Sequence, residues 1–140
     1  FDFHVRKENI VYMDDYAHHP TELTQSINSI KALYPNKKVC GIFQPHLYSR
    51  TKDFAPEFAE ALSLLDELIL LDIYPARELP IEGVTSEIIF EGVTLENKTL
   101  CVKDQLLAEL PHHQFDVLVT FGAGNIDQLI PDITAYCNSI

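Results

Sequence analysis

Short apolar runs alternate with helix-period segments along almost the whole chain. Ile10-Val11-Tyr12-Met13, Val39 to Phe43, Leu68 to Leu71, Thr99 to Val102 and Val117 to Phe121 are near-continuous hydrophobic stretches, the pattern of strands buried on both faces. Leu23, Ile27, Ile30 and Leu33 recur at helical spacing behind Pro20, which a first helical turn tolerates. Phe54, Phe58, Leu62 and Leu65 mark a second helical face, with Tyr48 and Arg50 expected just ahead of it. The spacing predicts a short helix near Thr85 or Ser86, another from Asp104, and a last one carrying Ile126, Leu129, Ile130 and Ile133. At the start, Phe1-Phe3-Val5 and Ile10-Val11-Met13 flank the polar turn Arg6-Lys7-Glu8-Asn9, a hairpin signal that adds one antiparallel strand.

Strand and helix in alternation predict an α/β fold: a Rossmann-like, mostly parallel six-stranded sheet with one antiparallel strand and helices on both faces. The C-terminal ends of parallel strands share one rim, and ligands of open α/β sheets bind there. Asp14-Asp15, Gln44-Pro45-His46, Asp72 and Gly122-Ala123-Gly124 are all expected on that rim, so motifs far apart in sequence become one site.

The 140 residues fit a single domain, residues 1–140, with one core. Acidic residues outnumber basic ones, 21 to 10, for a net charge of −11, and they are scattered rather than gathered in a tail. That balance argues against nucleic acid or an anionic membrane surface as partner. A bound phosphate must then be held by a few placed groups. Cys40, Cys101 and Cys137 lie in or beside apolar segments with no C-x-x-C spacing, which is consistent with buried thiols and a reducing, cytoplasmic setting. The opening at Phe1 falls in mid-pattern, so the expectation is a domain of a longer protein.

The richest chemistry is "DDYAHHPTEL", residues 14 to 23. Neighbouring side chains of an extended segment point opposite ways, so one of Asp14 and Asp15 faces a given ligand. A carboxylate at a strand end can accept two ribose hydroxyls; its alternative role is to cap the helix that follows. His18 and His19 can stack on or hydrogen-bond a nucleotide, can be structural, or with Asp15 and His46 can be weighed as zinc ligands, although no H-x-E or C-x-x-C completes such a site. His112-His113 lies in a polar turn and is expected to be exposed.

"FQPHLYSRT", residues 43 to 51, repeats the design one strand along, with His46, Tyr48 and Arg50. The planar guanidinium of Arg50 can donate two parallel hydrogen bonds to a carboxylate or phosphate; a surface ion pair is the alternative. In "TFGAGNI", residues 120 to 126, the glycines permit a tight turn against the last helix, whose N-terminal amides favour an anion. No G-x-x-x-x-G-K-[ST] loop is present, so the phosphates of any nucleotide must be held mainly elsewhere.

These three runs, with "LDIYPARELPIEGVTSE" at residues 71 to 87, resemble in order and spacing the C-terminal domain of the bacterial Mur ligases, over essentially all 140 residues. The resemblance implies the third domain of a three-domain ATP-dependent ligase of peptidoglycan synthesis. The N-terminal domain would bind the UDP-sugar, and the central one would carry the P-loop and most contacts to ATP and Mg2+. The isolated third domain would be inactive. Carried across, the motifs imply that Asp15 and His18 bind ATP, and that Tyr16, His46, Arg50, Gly124 and Asn125 serve the substrates. "QPHLYSR" favours the branch acting on UDP-N-acetylmuramate and L-alanine over the branch that recycles a tripeptide. The family run is His-Arg-Tyr-x-Arg, whereas this chain has Leu47 in the first arginine's place, which leaves Arg50 as the one guanidinium of its segment. Readings from other classes are a non-catalytic nucleotide-binding module and a metal-dependent hydrolase.

Overall fold

The computed structural model describes residues 1–140. Six strands form one sheet in the order β1-β2-β6-β3-β4-β5. They are β1 (Asp2–Arg6), β2 (Val11–Asp15), β3 (Val39–Phe43), β4 (Glu67–Leu71), β5 (Lys98–Cys101) and β6 (Val117–Phe121). β1 pairs antiparallel with β2 as the hairpin pattern predicts, and the register slips between Phe3 and Val5. All other pairings are parallel.

The period-2 alternation of the strands divides the interior into two layers. Met13, Val39, Phe43, Leu68, Leu70, Val119 and Phe121 face one side, and Tyr12, Cys40, Ile42, Ile69, Leu71 and Leu118 face the other. Helices α1 (Pro20–Leu33), α2 (Tyr48–Leu62) and α3 (Glu87–Phe90) cover the first layer through Leu23, Ile27, Ile30, Phe58, Leu62 and Ile89. Helices α4 (Leu106–Glu109) and α5 (Ile130–Ser139) cover the second through Leu106, Ile133 and Cys137. The α/β fold expected from the sequence is thus observed.

Strand ends shift by one or two residues from the sequence expectation at β2, β4 and β5, and the helices differ in three larger ways. Tyr48 and Arg50 belong to the first turn of α2 rather than preceding it. That helix kinks at Phe54 (φ −123°, ψ 17°), two residues before Pro56, whose ring cannot sit against an unbroken preceding turn. The last helix begins only at Ile130, because Asn125–Leu129 winds as a 3-10 turn and Pro131 suits the start of an α-helix. The segment from Asp104 is one α turn flanked by 3-10 turns, not a regular helix.

Cys40 and Cys137 are buried as expected, while Cys101 at the end of edge strand β5 is half-exposed. Burial raises the Cys137 thiol to about 11. His112 is exposed, but His113 is not: its side chain is 4% accessible, as is that of Glu67. His113 Nδ1 donates to Glu67 Oε1 at 2.7 Å, and Lys38 Nζ lies 2.8 Å from Glu67 Oε2. This cluster ties β4 to the segment before β6 at the sheet edge opposite the rim.

Burial pushes the Glu67 carboxyl up, but the hydrogen bonds from Lys38 and His113 outweigh it and hold it below the ordinary range. Its charged form therefore stabilises the fold above the unfolded pKa of about 4.3, and that contribution is lost as pH falls through the lower folded value. Glu67→Gln should cost about 1–3 kcal/mol at pH 7, and urea unfolding should show the gap to the unsubstituted chain shrinking at acid pH. An equal gap at neutral and acid pH would assign the effect to packing instead.

Candidate functional site

Strand β6 is last in sequence yet lies between β2 and β3. Its register aligns Asp15 with Phe121 and Phe43 with Phe121, so three strands end at one level. The chain leaves β2 and β3 toward α1 and α2 on one face but leaves β6 toward α5 on the other. No helix roofs the gap between such strands, and this is the switch-point crevice in which α/β sheets bind ligands. Asp14, Asp15, Tyr16, Thr120, Gly122 and Gly124 line its floor.

Asp14 and Asp15 point apart as expected. Asp14 bonds to the His4 ring on the hairpin, and Asp15 bonds to Ser26 of α1. Asp15 Oδ1 also accepts Ala17 N at 2.9 Å, which fixes the turn out of β2. Asp15 is not the cap of α1. His19 holds that position, and Glu22 reaches back to accept the His18 and His19 amides at 3.2 and 3.1 Å. The hydrogen bond from the His18 amide is the largest cause holding the Glu22 carboxyl below its ordinary range. On its outer side Asp15 borders an open pocket of about 400 Å³ with Tyr16, Gln25 and Ser29, which falls in the size range of small-molecule sites.

His18 Nδ1 lies 2.9 Å from the Tyr16 carbonyl, a bond that requires the proton on Nδ1 and leaves Nε2 free. Four rings then run along the rim. Tyr16 meets His18 edge-on at 5.2 Å, His18 meets His46 edge-on at 6.2 Å, and His46 stacks on Tyr74 at 5.8 Å. Arg50 donates from NH1 to His46 Nδ1 at 3.3 Å. His46 must therefore be unprotonated at Nδ1, and burial, with the charges of Arg50 and His18, lowers its pKa to match.

Two supports are not evident in the sequence. Gln44, 3% accessible, accepts Ile126 N on Oε1 at 2.9 Å and donates from Nε2 to Asn125 Oδ1 at 2.8 Å. It engages the Asn125 side chain and one of the first amides after the glycine turn, so the expected helix N-terminus is not free at this loop. The second support is Glu78. Helix α2 begins behind Leu47 at φ 73°, ψ 137°, a conformation a leucine rarely adopts, and has no side-chain cap of its own. Glu78 supplies one from the loop after β4, accepting both Ser49 N at 3.1 Å and Ser49 Oγ. Those bonds hold its carboxyl below the ordinary range. A turn-rich loop following a strand at the rim was the available signal.

Seven residues singled out in the sequence, Asp15, Tyr16, His18, His46, Arg50, Gly124 and Asn125, lie on this one rim. No group of three or more His, Cys, Asp or Glu side chains converges as a metal centre would.

An α/β sheet with its chemistry gathered where the connections change faces at the central strand defines the class, and a family model places it: residues 1–124 match the Mur ligase, glutamate ligase domain. The chain belongs to the Mur ligase family. The UDP-N-acetylmuramate–L-alanine ligase of Parabacteroides distasonis is 60% identical over 95% of this chain, and that of Phocaeicola vulgatus 50% over 99%. The chain spans only 29% and 30% of the length of these curated relatives. Among solved structures, a UDP-N-acetylmuramate-alanine ligase from Thermotoga maritima aligns at TM-score 0.72 and 26% identity, over 99% of this chain and 29% of that one. A murein peptide ligase from Psychrobacter arcticus shares the fold at TM-score 0.77 and 16% identity, over 99% of this chain and 30% of that one.

The loop at Gly124 gives a direct test of the geometry. A Cβ there would stand 2.6 Å from Gln44 Oε1 and 2.7 Å from Tyr74 Cγ. Gly124→Ala should therefore destabilise the chain by about 1–3 kcal/mol, as overpacking does, with a matching fall in the urea midpoint. A change below about 0.5 kcal/mol, the scale of an ordinary surface substitution, would mean the loop is not seated on Gln44 and Tyr74.

Proposed function

We propose that the chain is the C-terminal, third domain of a UDP-N-acetylmuramate–L-alanine ligase, which joins L-alanine to the sugar-nucleotide at the expense of ATP in the cytoplasm. The N-terminal and central domains act in cis and supply the UDP-sugar pocket and the P-loop. The observation that carries this reading is the convergence of the Asp15–His18 turn, the His46–Arg50 turn and the Gly122–Asn125 loop along one rim of the sheet, in a chain 60% identical to a named ligase of that activity.

In the reaction, ATP converts the sugar's carboxylate to an acyl phosphate. The alanine amine attacks the acyl carbon, the amide forms, and ADP and phosphate leave. Asp15 takes the ribose hydroxyls: Ser26 and Ala17 N already orient its carboxylate, whose remaining lone pairs border the open pocket. His18 lies beside the nucleotide with Nε2 free. Tyr16, His46 and Arg50 steady the sugar-nucleotide or the alanine carboxylate, with neutral His46 aiming the Arg50 guanidinium. Gly124 and Asn125 shape the wall beside the amino acid.

Mg2+ accompanies the ATP phosphates, but the residues here do not form its site. Asp15 is the only carboxylate among the assigned residues and is already hydrogen-bonded, and no further ligands converge on it. The ion belongs with the other two domains.

The full-length enzyme should release ADP only when UDP-N-acetylmuramate, L-alanine and ATP are all present, and the 140-residue chain alone should show no turnover. Asp15→Ala in the full-length enzyme should weaken ATP by about 1–3 kcal/mol, the cost of losing a charge-assisted hydrogen bond. Turnover with a tripeptide in place of L-alanine would move the assignment to the recycling branch. An unchanged Michaelis constant for ATP in the Asp15 variant would leave the carboxylate with only its role in the turn.

A further inference from the structure

The chain has three arginines against 21 acidic residues. Arg6 lies over the Phe3 ring in the hairpin. The other two, Arg50 and Arg77, come from segments far apart in sequence that the fold joins side by side. Tyr74 N donates to Pro45 O at 2.8 Å, and Leu47 N donates to Tyr74 O at 2.9 Å. Four residues on, Glu78 accepts both the amide and the hydroxyl of Ser49. Between these anchors a tight turn closes through Glu78 N to Pro75 O at 2.9 Å, with Ala76 held at φ 53°. Arg77 stands in that turn. It is the chain neighbour of Glu78, as Arg50 is the chain neighbour of Ser49, so the two arginines flank a bonded pair.

Neither guanidinium is neutralised. Arg77 is exposed, and the five ion pairs of the chain involve neither arginine. The one side-chain contact of Arg50 is to neutral His46. Glu78, the chain neighbour of Arg77, is committed to Ser49, and Asp53, three residues beyond Arg50 in α2, forms no ion pair with it. Two unpaired guanidiniums on adjoining turns of a strongly acidic protein can both turn to one oxyanion, to which each donates charge-assisted hydrogen bonds.

We infer that Arg77 is a second guanidinium of the substrate site, which with Arg50 binds one oxyanion of the substrates, a carboxylate or a phosphoryl group. The fold thus provides from the loop after β4 a cation that position 47 does not carry. This rests on the proposed ligase activity and extends it to Arg77, which lies in the run at residues 71 to 87 but was given no site role by the resemblance.

The test uses the full-length enzyme with Arg77→Ala, Arg77→Lys, Arg50→Ala and the double alanine variant. The Michaelis constants for UDP-N-acetylmuramate and for L-alanine are measured separately, because the constant that rises identifies which substrate carries the oxyanion. Arg77→Ala should raise one of them about tenfold or more, as loss of a charge-assisted hydrogen bond does. Arg77→Lys should recover part of the loss, and the melting temperature should not move, since the side chain is exposed. The double variant should lose less than the product of the two single losses, because both guanidiniums serve one anion. Both constants within twofold of the unsubstituted enzyme would overturn the inference, as would losses that multiply. No alanine ligation by the unsubstituted enzyme would overturn the proposed function, and the inference with it.

Discussion

The parallel ladders that seat β6 between β2 and β3 are the constraint on which the rest depends. They bring residues 15, 43 and 121 to one level although more than a hundred positions separate the first from the last. Because α5 covers one face of the sheet and α1 and α2 cover the other, the reversal at β6 leaves a crevice that no helix fills. If β6 paired instead at the β5 edge, the Asp15 turn would adjoin the His46 turn with no glycine loop between them. The core on each face would also lose the alternation that buries Val119 and Phe121 on one side and Leu118 on the other.

The groups around the crevice are fixed by bonds that do not themselves reach a ligand. Gln44 clamps the glycine loop from below, Glu78 closes the open end of α2, and Ser26 steadies Asp15. The unusual backbone at Leu47 is tolerated because its amide is bonded to Tyr74 and its carbonyl accepts both the amide and the hydroxyl of Thr51. Such support matters for the proposed amide-bond formation, since misplacement of reacting groups by about 1 Å costs about a hundredfold in rate. It also explains how Arg77 reaches the site: the loop that caps α2 carries it there.

Much of this was legible in the sequence, because strand alternation and helical spacing are local signals. Val39–Phe43 and Val117–Phe121 read as strands over the same residues the structure assigns. The polar clusters at strand ends pointed to one rim because parallel topology leaves them nowhere else. What escaped depended on partners distant in sequence. His113 sits in a polar turn, yet Glu67 from another strand buries it. Gln44 reads as a polar residue before a proline, and only the fold shows its amide spanning to residues 125 and 126. Arg77 lay in a run that the resemblance singled out without assigning it a role, because its turn is brought beside the Arg50 segment only by the bridge between His46 and Tyr74. The late start of α5 was hidden because a 3-10 turn and an α-helix place apolar residues at similar spacings.

The central claim is that the strand-end rim, and not the opposite edge of the sheet, meets the substrates. Backbone hydrogen exchange of the full-length enzyme, with UDP-N-acetylmuramate and a non-hydrolysable ATP analogue present and absent, tests it most directly. The account predicts new protection in this domain at residues 15–19, 44–50, 74–78 and 122–126, with residues 64–67 and 109–116 unchanged. Protection concentrated at that opposite edge, or none anywhere in the domain when both ligands are bound, would contradict it.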